Sequence, residues 1–297
     1  MTAFKLQWKI DQTNDGQLVR EYLLKVKGIS KRALTDIKFM GGDILLNGQH
    51  TTVRSILKDG DVLTVLFPPE ERSIGIVAEN LPLNIVYEDE YILVIDKPPA
   101  MATIPSREHR NGTLSNALLY YYENNNIDST IHIVNRLDRD TSGLLIVAKH
   151  RYIHHLMSLE QKKGTINRQY EAIVHGIVKP DTGDIVAPIG RKETSIIERE
   201  VRQDGQVAIT HFHVIQRYSE CTWLSLKLET GRTHQIRVHM AHIGHPLLGD
   251  SLYRGAKDLI ERQALHSKRI SFKHPISKEE LEFISTLPED MQLVVNR

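Results

Sequence analysis

The sequence predicts an α+β protein: a large domain on a mixed, mostly antiparallel sheet, preceded by a small N-terminal unit of helices and short strands. Three observations carry this. Strand and helix patterns interleave along residues 81–297, and many of the strands read as hairpin partners. Pro68-Pro69, followed by Glu70-Glu71-Arg72, cannot continue a central strand and reads as a linker, over residues 69–80. The length of 297 residues suits about two domains.

In the first unit, Leu18, Val19, Tyr22, Leu23 and Val26 share one helical face, which Gly28 ends. Ser30 is placed to cap a second helix carrying Leu34, Ile37 and Met40, stopped by Gly41-Gly42. Asp43–Leu46 then reads as a strand, Asn47-Gly48 as a tight hairpin turn, and Val62–Leu66 as a strand after the Asp59-Gly60 turn. Arg20, Lys25, Lys27, Lys31, Arg32 and Lys38 face only Glu21 and Asp36 as acids within residues 20–38. A charge run alone reads as a solvated helical face. In this context of two helices, an Asn-Gly hairpin and a closing strand, residues 14–68 resemble an S4-type RNA-binding domain, with Lys31 and Arg32 as candidate RNA contacts.

In the larger unit, residues 81–297, Leu83, Ile85 and Tyr87 alternate, and Tyr91–Asp96 is a buried strand closed by Lys97-Pro98-Pro99. Leu144–Ala148 is a second continuous apolar strand, and Leu224, Leu226 and Leu228 line one face of a third. Helical spacing appears at Leu114, Ala117 and Leu118, and again at Ile236, Met240 and Ile243.

Composition narrows the class. Lys plus Arg total 38 against 37 Asp plus Glu, and apolar residues make up 40% of the chain, as in ordinary globular proteins. Indiscriminate adhesion to nucleic acid is therefore not expected, and any RNA site must come from local clustering. The single cysteine, Cys221, excludes an intrachain disulfide framework. No apolar run approaches the roughly 18 residues of a membrane span, and the charged N-terminus lacks the core of a signal peptide. A cytoplasmic protein without membrane contact is expected, with a monomer as the default.

Two polar segments stand out. His132–Gly143 carries Asp138 and Asp140 between Arg136 and Arg139, just before an apolar strand, where a rigid sheet can support a functional loop. An Asp-rich turn that only satisfies its own backbone is the alternative there. Leu228–Pro246 reads as a strand, a Gly231 turn and a helix from about Thr233 to Gly244, with two arginines, four histidines and no acid within residues 232–245. Those histidines lack the spacing and acidic partner of a metal site, so no metal is expected.

Arg136-Leu137-Asp138 followed by Thr141-Ser142-Gly143 resembles the catalytic loop of the RluA family of RNA pseudouridine synthases. Gly231-Arg232-Thr233-His234-Gln235-Ile236-Arg237-Val238-His239 and Gly249-Asp250-Ser251-Leu252-Tyr253 resemble its later motifs. Tyr170–Gly176 resembles the middle one, Lys97-Pro98 the early one, and Leu265-His266 with Phe272–Pro275 the C-terminal part. The resemblance covers about residues 81–290. It implies a pseudouridine-synthase fold and isomerisation of uridines in RNA without a cofactor, ribosomal RNA ahead of transfer RNA. It also implies roles: Asp138 as the acting carboxylate, Arg232 as its guanidinium partner, Tyr170 as the stacking platform, and Arg136 in the space left by an extruded base. Two departures stand out: Asn135 replaces the histidine usual before Arg-Leu-Asp. Ala100 and Ile104-Pro105 replace a glycine and a His-Pro. A non-catalytic RNA-binding assembly factor and a metal-dependent hydrolase are the competing classes.

Overall fold

The computed structural model describes residues 4–70, 75–106 and 109–297, so residues 71–74 of the expected linker lie outside the described residues. The N-terminal unit comprises β1 (Lys5–Lys9), α1 (Val19–Glu21), α2 (Lys31–Phe39), β2 (Asp43–Leu46), β3 (Gln49–His50) and β4 (Val62–Leu66). Its strands form an antiparallel sheet in the order β1-β4-β2-β3. Asn47 and Gly48 both take left-handed backbone, φ 52° and 80°, as a two-residue hairpin turn requires. The Ser30 hydroxyl caps α2 by accepting the Ala33 amide at 3.1 Å.

Sequence periodicity misplaces three side chains here. Val19, Tyr22, Leu23, Leu34 and Ile37 are buried, but Leu18, Val26 and Met40 are exposed. Leu18 is still extended as the N-cap of α1, and Met40 lies past the end of α2. After α1 the helix continues over Tyr22–Val26 in a wider turn, which rotates Val26 off the apolar face. The sheet also takes in β1, which lies ahead of the 14–68 unit read from sequence.

The larger sheet is built from β5 (Ile85–Glu88), β6 (Ile92–Lys97), β7 (His132–Ile133), β8 (Ser142–Ala148), β9 (Asn167–His175) and β10 (Thr182–Val186). A separate hairpin, β11 (Ile189–Arg191) and β12 (Arg199–Val201), projects from it. The sheet is completed by β13 (Ile209–Arg217), β14 (Cys221–Leu228), β15 (Leu265–Lys273) and β16 (Glu280–Ile284). The order is β10-β13-β14-β9-β15-β8-β6-β5, with β16 on β15 and β7 on β8. Among the described residues only β15 and β8 run parallel, so the sheet is mixed and mostly antiparallel, the expected α+β architecture. The helices are α3 (Leu114–Asn124), α4 (Arg151–Lys163), α5 (Gln235–His242) and α6 (Glu289–Val295).

The continuous apolar runs follow from burial on both faces. Leu93, Ile95, Leu145 and Val147 face one core with α3, Tyr170 and Leu226. Ile92, Val94, Leu144 and Ile146 face another, which continues into Leu6, Val19, Leu23 and Ile37 of the N-terminal unit. The Tyr152 hydroxyl of α4 donates to the Lys27 carbonyl at 2.5 Å across that junction. The β8–β15 approach demands glycine: Gly143 has φ 106°, and a Cβ there would lie 2.3 Å from the Ser267 carbonyl oxygen.

Candidate active site

The loop entering β8 is stapled at nearly every residue. Val134 donates its amide to the Ile146 carbonyl at 2.9 Å, and the Asn135 side-chain oxygen accepts the Ile146 amide at 2.9 Å. Thr103 Oγ1 donates to the Leu137 carbonyl at 2.5 Å and accepts the Leu137 amide at 3.2 Å. Lys97, with no exposed surface, spends its ammonium on three carbonyls: Pro98 and Met101 at 2.8 Å and Arg139 at 3.0 Å. Burial pulls the Lys97 pKa down to about 7 against the pull of the nearby Asp140 and Asp138 charges. Arg262 donates to the Asp140 carbonyl at 2.9 Å. These bonds come from β6, the segment after it, β8 and the segment just before β15, so Asp138 stands on a fixed frame.

Opposite the loop, β14 ends in the Gly231 turn and α5 begins. His234 takes left-handed backbone, φ 57°, and the helix starts at Gln235 rather than near Thr233. This turn decides which arginine meets Asp138. Arg237 Nη1 donates to Asp138 Oδ2 at 3.1 Å, while Nε and Nη2 form a two-pronged pair with Asp250 at 2.7 and 2.8 Å. The Arg237 and Asp250 side chains are 8% and 1% exposed, whereas Asp138 is 27% exposed and accessible from the cleft. Burial opposes the charge of Arg237, but hydrogen bonds and attraction from Asp250 and Asp138 outweigh it and hold the guanidinium above its ordinary range. Arg237 also lies over the Tyr253 ring, 5.0 Å from its centre.

A cavity of about 580 Å³ opens over this frame, and Arg136, Asp138, Tyr170, Arg232 and Arg237 all line it. Tyr170, on β9, is 5% exposed and packs with the apolar core beneath the cavity. Burial, with a further push from Asp138, raises its hydroxyl above the ordinary range against the pull of Arg168, so it stays protonated. The arrangement offers an accessible carboxylate bonded at one oxygen by a guanidinium, next to a neutral aromatic phenol, in a hollow of ordinary ligand-pocket size.

Residues 91–242 match the RNA pseudouridylate synthase family. An RNA pseudouridine synthase of Bacillus subtilis (strain 168), YjbO, itself described as uncharacterized, is 52% identical over 277 residues, 93% of this chain and 98% of that one. The chain belongs to this family. The ribosomal large subunit pseudouridine synthase D of Pseudomonas aeruginosa is 40% identical over 263 residues, covering 84% of this chain and 82% of that protein. The structure of human RNA pseudouridylate synthase domain containing 1 superposes with a TM-score of 0.58 at 24% identity, over 70% of this chain and 85% of that one, and shares the fold.

Among the sequence-named residues of this synthase, Arg232 departs from its expected role. It lies on the cavity rim, exposed, and its Nε donates to the Val207 carbonyl at 2.9 Å, so the guanidinium that meets Asp138 is that of Arg237. Arg136 is exposed at the mouth of the cavity. Lys31 and Arg32 are exposed on α2; Arg32 borders a second hollow, between the N-terminal unit and α4. Sequence reasoning passed over Arg237, Asp250 and Tyr253 although all three stood in the quoted motifs. The available signal was that an arginine inside an otherwise buried helix needs a buried acid, and Asp250 supplies it. His239, considered as a metal ligand, is bound instead to Thr210 Oγ1 and the Ala187 carbonyl, both at 2.9 Å. The two departures also find structural readings. Asn135 pins the loop to β8, and Ala100 occupies left-handed backbone, φ 61°, where glycine is free of strain.

Proposed function

We propose that this enzyme converts specific uridines of ribosomal RNA to pseudouridine, with Asp138 as the acting carboxylate. The single observation carrying this reading is one cleft in which Asp138, paired with Arg237, stands beside Tyr170. The name of the P. aeruginosa relative supports large-subunit ribosomal RNA as the target.

The isomerisation breaks the N1–C1′ bond, turns the uracil and joins C5 to C1′; the C5 proton leaves and N1 gains one. The target base first leaves its stack, at a cost of a few kcal/mol. Arg136, exposed at the cavity mouth, is suited to fill the vacated space and hold the RNA open. Asp138 acts on the sugar or the base, and Arg237 bonds its Oδ2 from the wall of the cleft. Tyr170 offers a flat face to the freed uracil. Lys31 and Arg32, on an N-terminal unit of S4 type, add phosphate contacts that position the RNA and carry little sequence information. We place the enzyme in the cytoplasm as a monomer. No metal-ligand cluster occurs among the described residues, and no described helix is long and apolar enough to cross a membrane.

Pseudouridine mapping across total RNA from cells with and without the gene tests the proposal. A position lost from large-subunit ribosomal RNA is the expected result. A loss confined to transfer RNA overturns the substrate, and an unchanged map favours the assembly-factor alternative.

A further inference from the structure

Arg237 alone does not fix Asp138. Two of its three bonded N–H groups are committed to Asp250, and a single bond reaches Asp138, at Oδ2. A carboxylate held at one point can pivot about that bond. A second group stands on the same side: His234 Nε2 lies 3.8 Å from Asp138 Oδ2, with its side chain 13% exposed.

The groups on either side of the His234 ring favour one position for its proton. The Tyr253 hydroxyl oxygen accepts the Arg199 amide of β12 at 2.9 Å and lies 2.8 Å from His234 Nδ1. The hydroxyl still has its own proton to give, and a bare lone pair on Nε2 would face the Asp138 carboxylate, so Nδ1 is assigned as the acceptor. Burial, chiefly, lowers the His234 pKa despite the Asp138 charge, so the ring is neutral at working pH. A neutral ring accepting at Nδ1 carries its proton on Nε2, the atom facing Asp138.

We propose that His234 is a positioning residue for the reaction, a second donor that closes on Asp138 Oδ2 when RNA fills the cleft and leaves Oδ1 as the acting oxygen. Bonds of this kind tighten between the empty and the loaded site. The left-handed backbone at His234 is what turns the ring back over the loop, and the Tyr253–Arg199 contact ties its orientation to the β11–β12 hairpin, whose Ile197 lines the same cavity. The inference rests on Asp138 being the acting carboxylate. The other charged or titratable groups facing the pair are Arg237 from α5, Asp250 and Tyr253 beyond it, Arg199 from β12, Lys97 from β6 and Tyr170 from β9.

The test uses the full-length protein and total RNA labelled with tritium at uracil C5, taken from cells lacking the gene. Formation of the C5–C1′ bond releases the label, so turnover is read without knowing the target. His234→Asn keeps a residue that tolerates left-handed backbone, but its shorter side chain puts no donor at the place of Nε2. It should lower kcat by about tenfold or more, with KM for RNA within about twofold. His234→Gln, whose amide nitrogen reaches the place of Nε2, should restore most of the rate. Tyr253→Phe should fall between. His234→Asn with the wild-type rate, or slow with no rescue by glutamine, overturns the proposal. An Asp138→Asn arm separates the two claims: if that variant turns over normally, the reading of Asp138 fails; if it is dead while His234→Asn is normal, the role of His234 alone fails.

Discussion

Replacing Arg237 by methionine tests the frame of the site most severely. The side chain makes three charge-assisted hydrogen bonds, two to Asp250 and one to Asp138. Methionine matches its stem but leaves the Asp250 carboxylate, 1% exposed, without a counter-charge. Breaking a buried pair from one side costs about 3–5 kcal/mol. At roughly 2–4 °C per kcal/mol for a domain of this size, the melting temperature should fall by about 10 °C. The lost bond to Asp138 contributes about 1.5–3 kcal/mol to the activated complex, a drop in kcat of roughly 10- to 100-fold. The double change Arg237→Met with Asp250→Leu removes the buried charge altogether and should regain most of the stability while turnover stays low. Calorimetry with tritium release from C5-labelled RNA reads both. A single variant melting within about 2 °C of the parent, or a double variant with the parental rate, would refute this account.

Three further outcomes follow from the geometry. Lys97→Met leaves the Pro98, Met101 and Arg139 carbonyls without their donor, so unfolding in urea should show a loss of at least about 3 kcal/mol, and kcat should fall as the loop loosens. Ala100→Gly relieves about 1–2 kcal/mol of left-handed strain at φ 61° but adds about 0.4–1 kcal/mol of unfolded-chain freedom, so urea midpoints should show a net gain near 0.5 kcal/mol. His266 is 1% exposed, and burial holds its pKa down to about 4 from 6.5, so it stays neutral in the fold while the unfolded chain takes up a proton below pH 6.5. Its contribution is therefore present above pH 6.5 and lost as pH falls toward 4; from pH 7 to 4.5 the parent should lose about 2–3 kcal/mol more than His266→Gln in paired urea titrations.

The sequence was most legible where one local rule acted alone. Asn47-Gly48 had to be a tight turn, and Leu144–Ala148 had to be a strand buried on both faces. The architecture followed from such patterns, and the motifs brought attention to the loop at Asp138 and to the segment after Gly231. The choice between Arg232 and Arg237 was not legible, because it depends on the single left-handed residue His234, which starts the helix late, sends Arg232 to the Val207 carbonyl and turns Arg237 inward. Nothing in a histidine announces that conformation; the Tyr253 contact that accompanies it comes from a distant stretch of chain. Strand β1 went unread for a similar reason: its alternation is short, and its partner is β4, more than fifty residues later. Periodicity also counted Leu18, Val26 and Met40 as core because it assumes an unbroken regular helix, whereas the helix begins late, widens and stops early.

The most direct measurement compares Asp138→Asn with the parent enzyme for tritium release from the same labelled RNA, with circular dichroism and melting confirming that both are folded. The substitution keeps the volume of the side chain, removes its charge and turns one acceptor oxygen into an amide donor. A folded variant with no release above background is the expected result. Release at the parental rate would contradict the claim that this carboxylate carries the isomerisation.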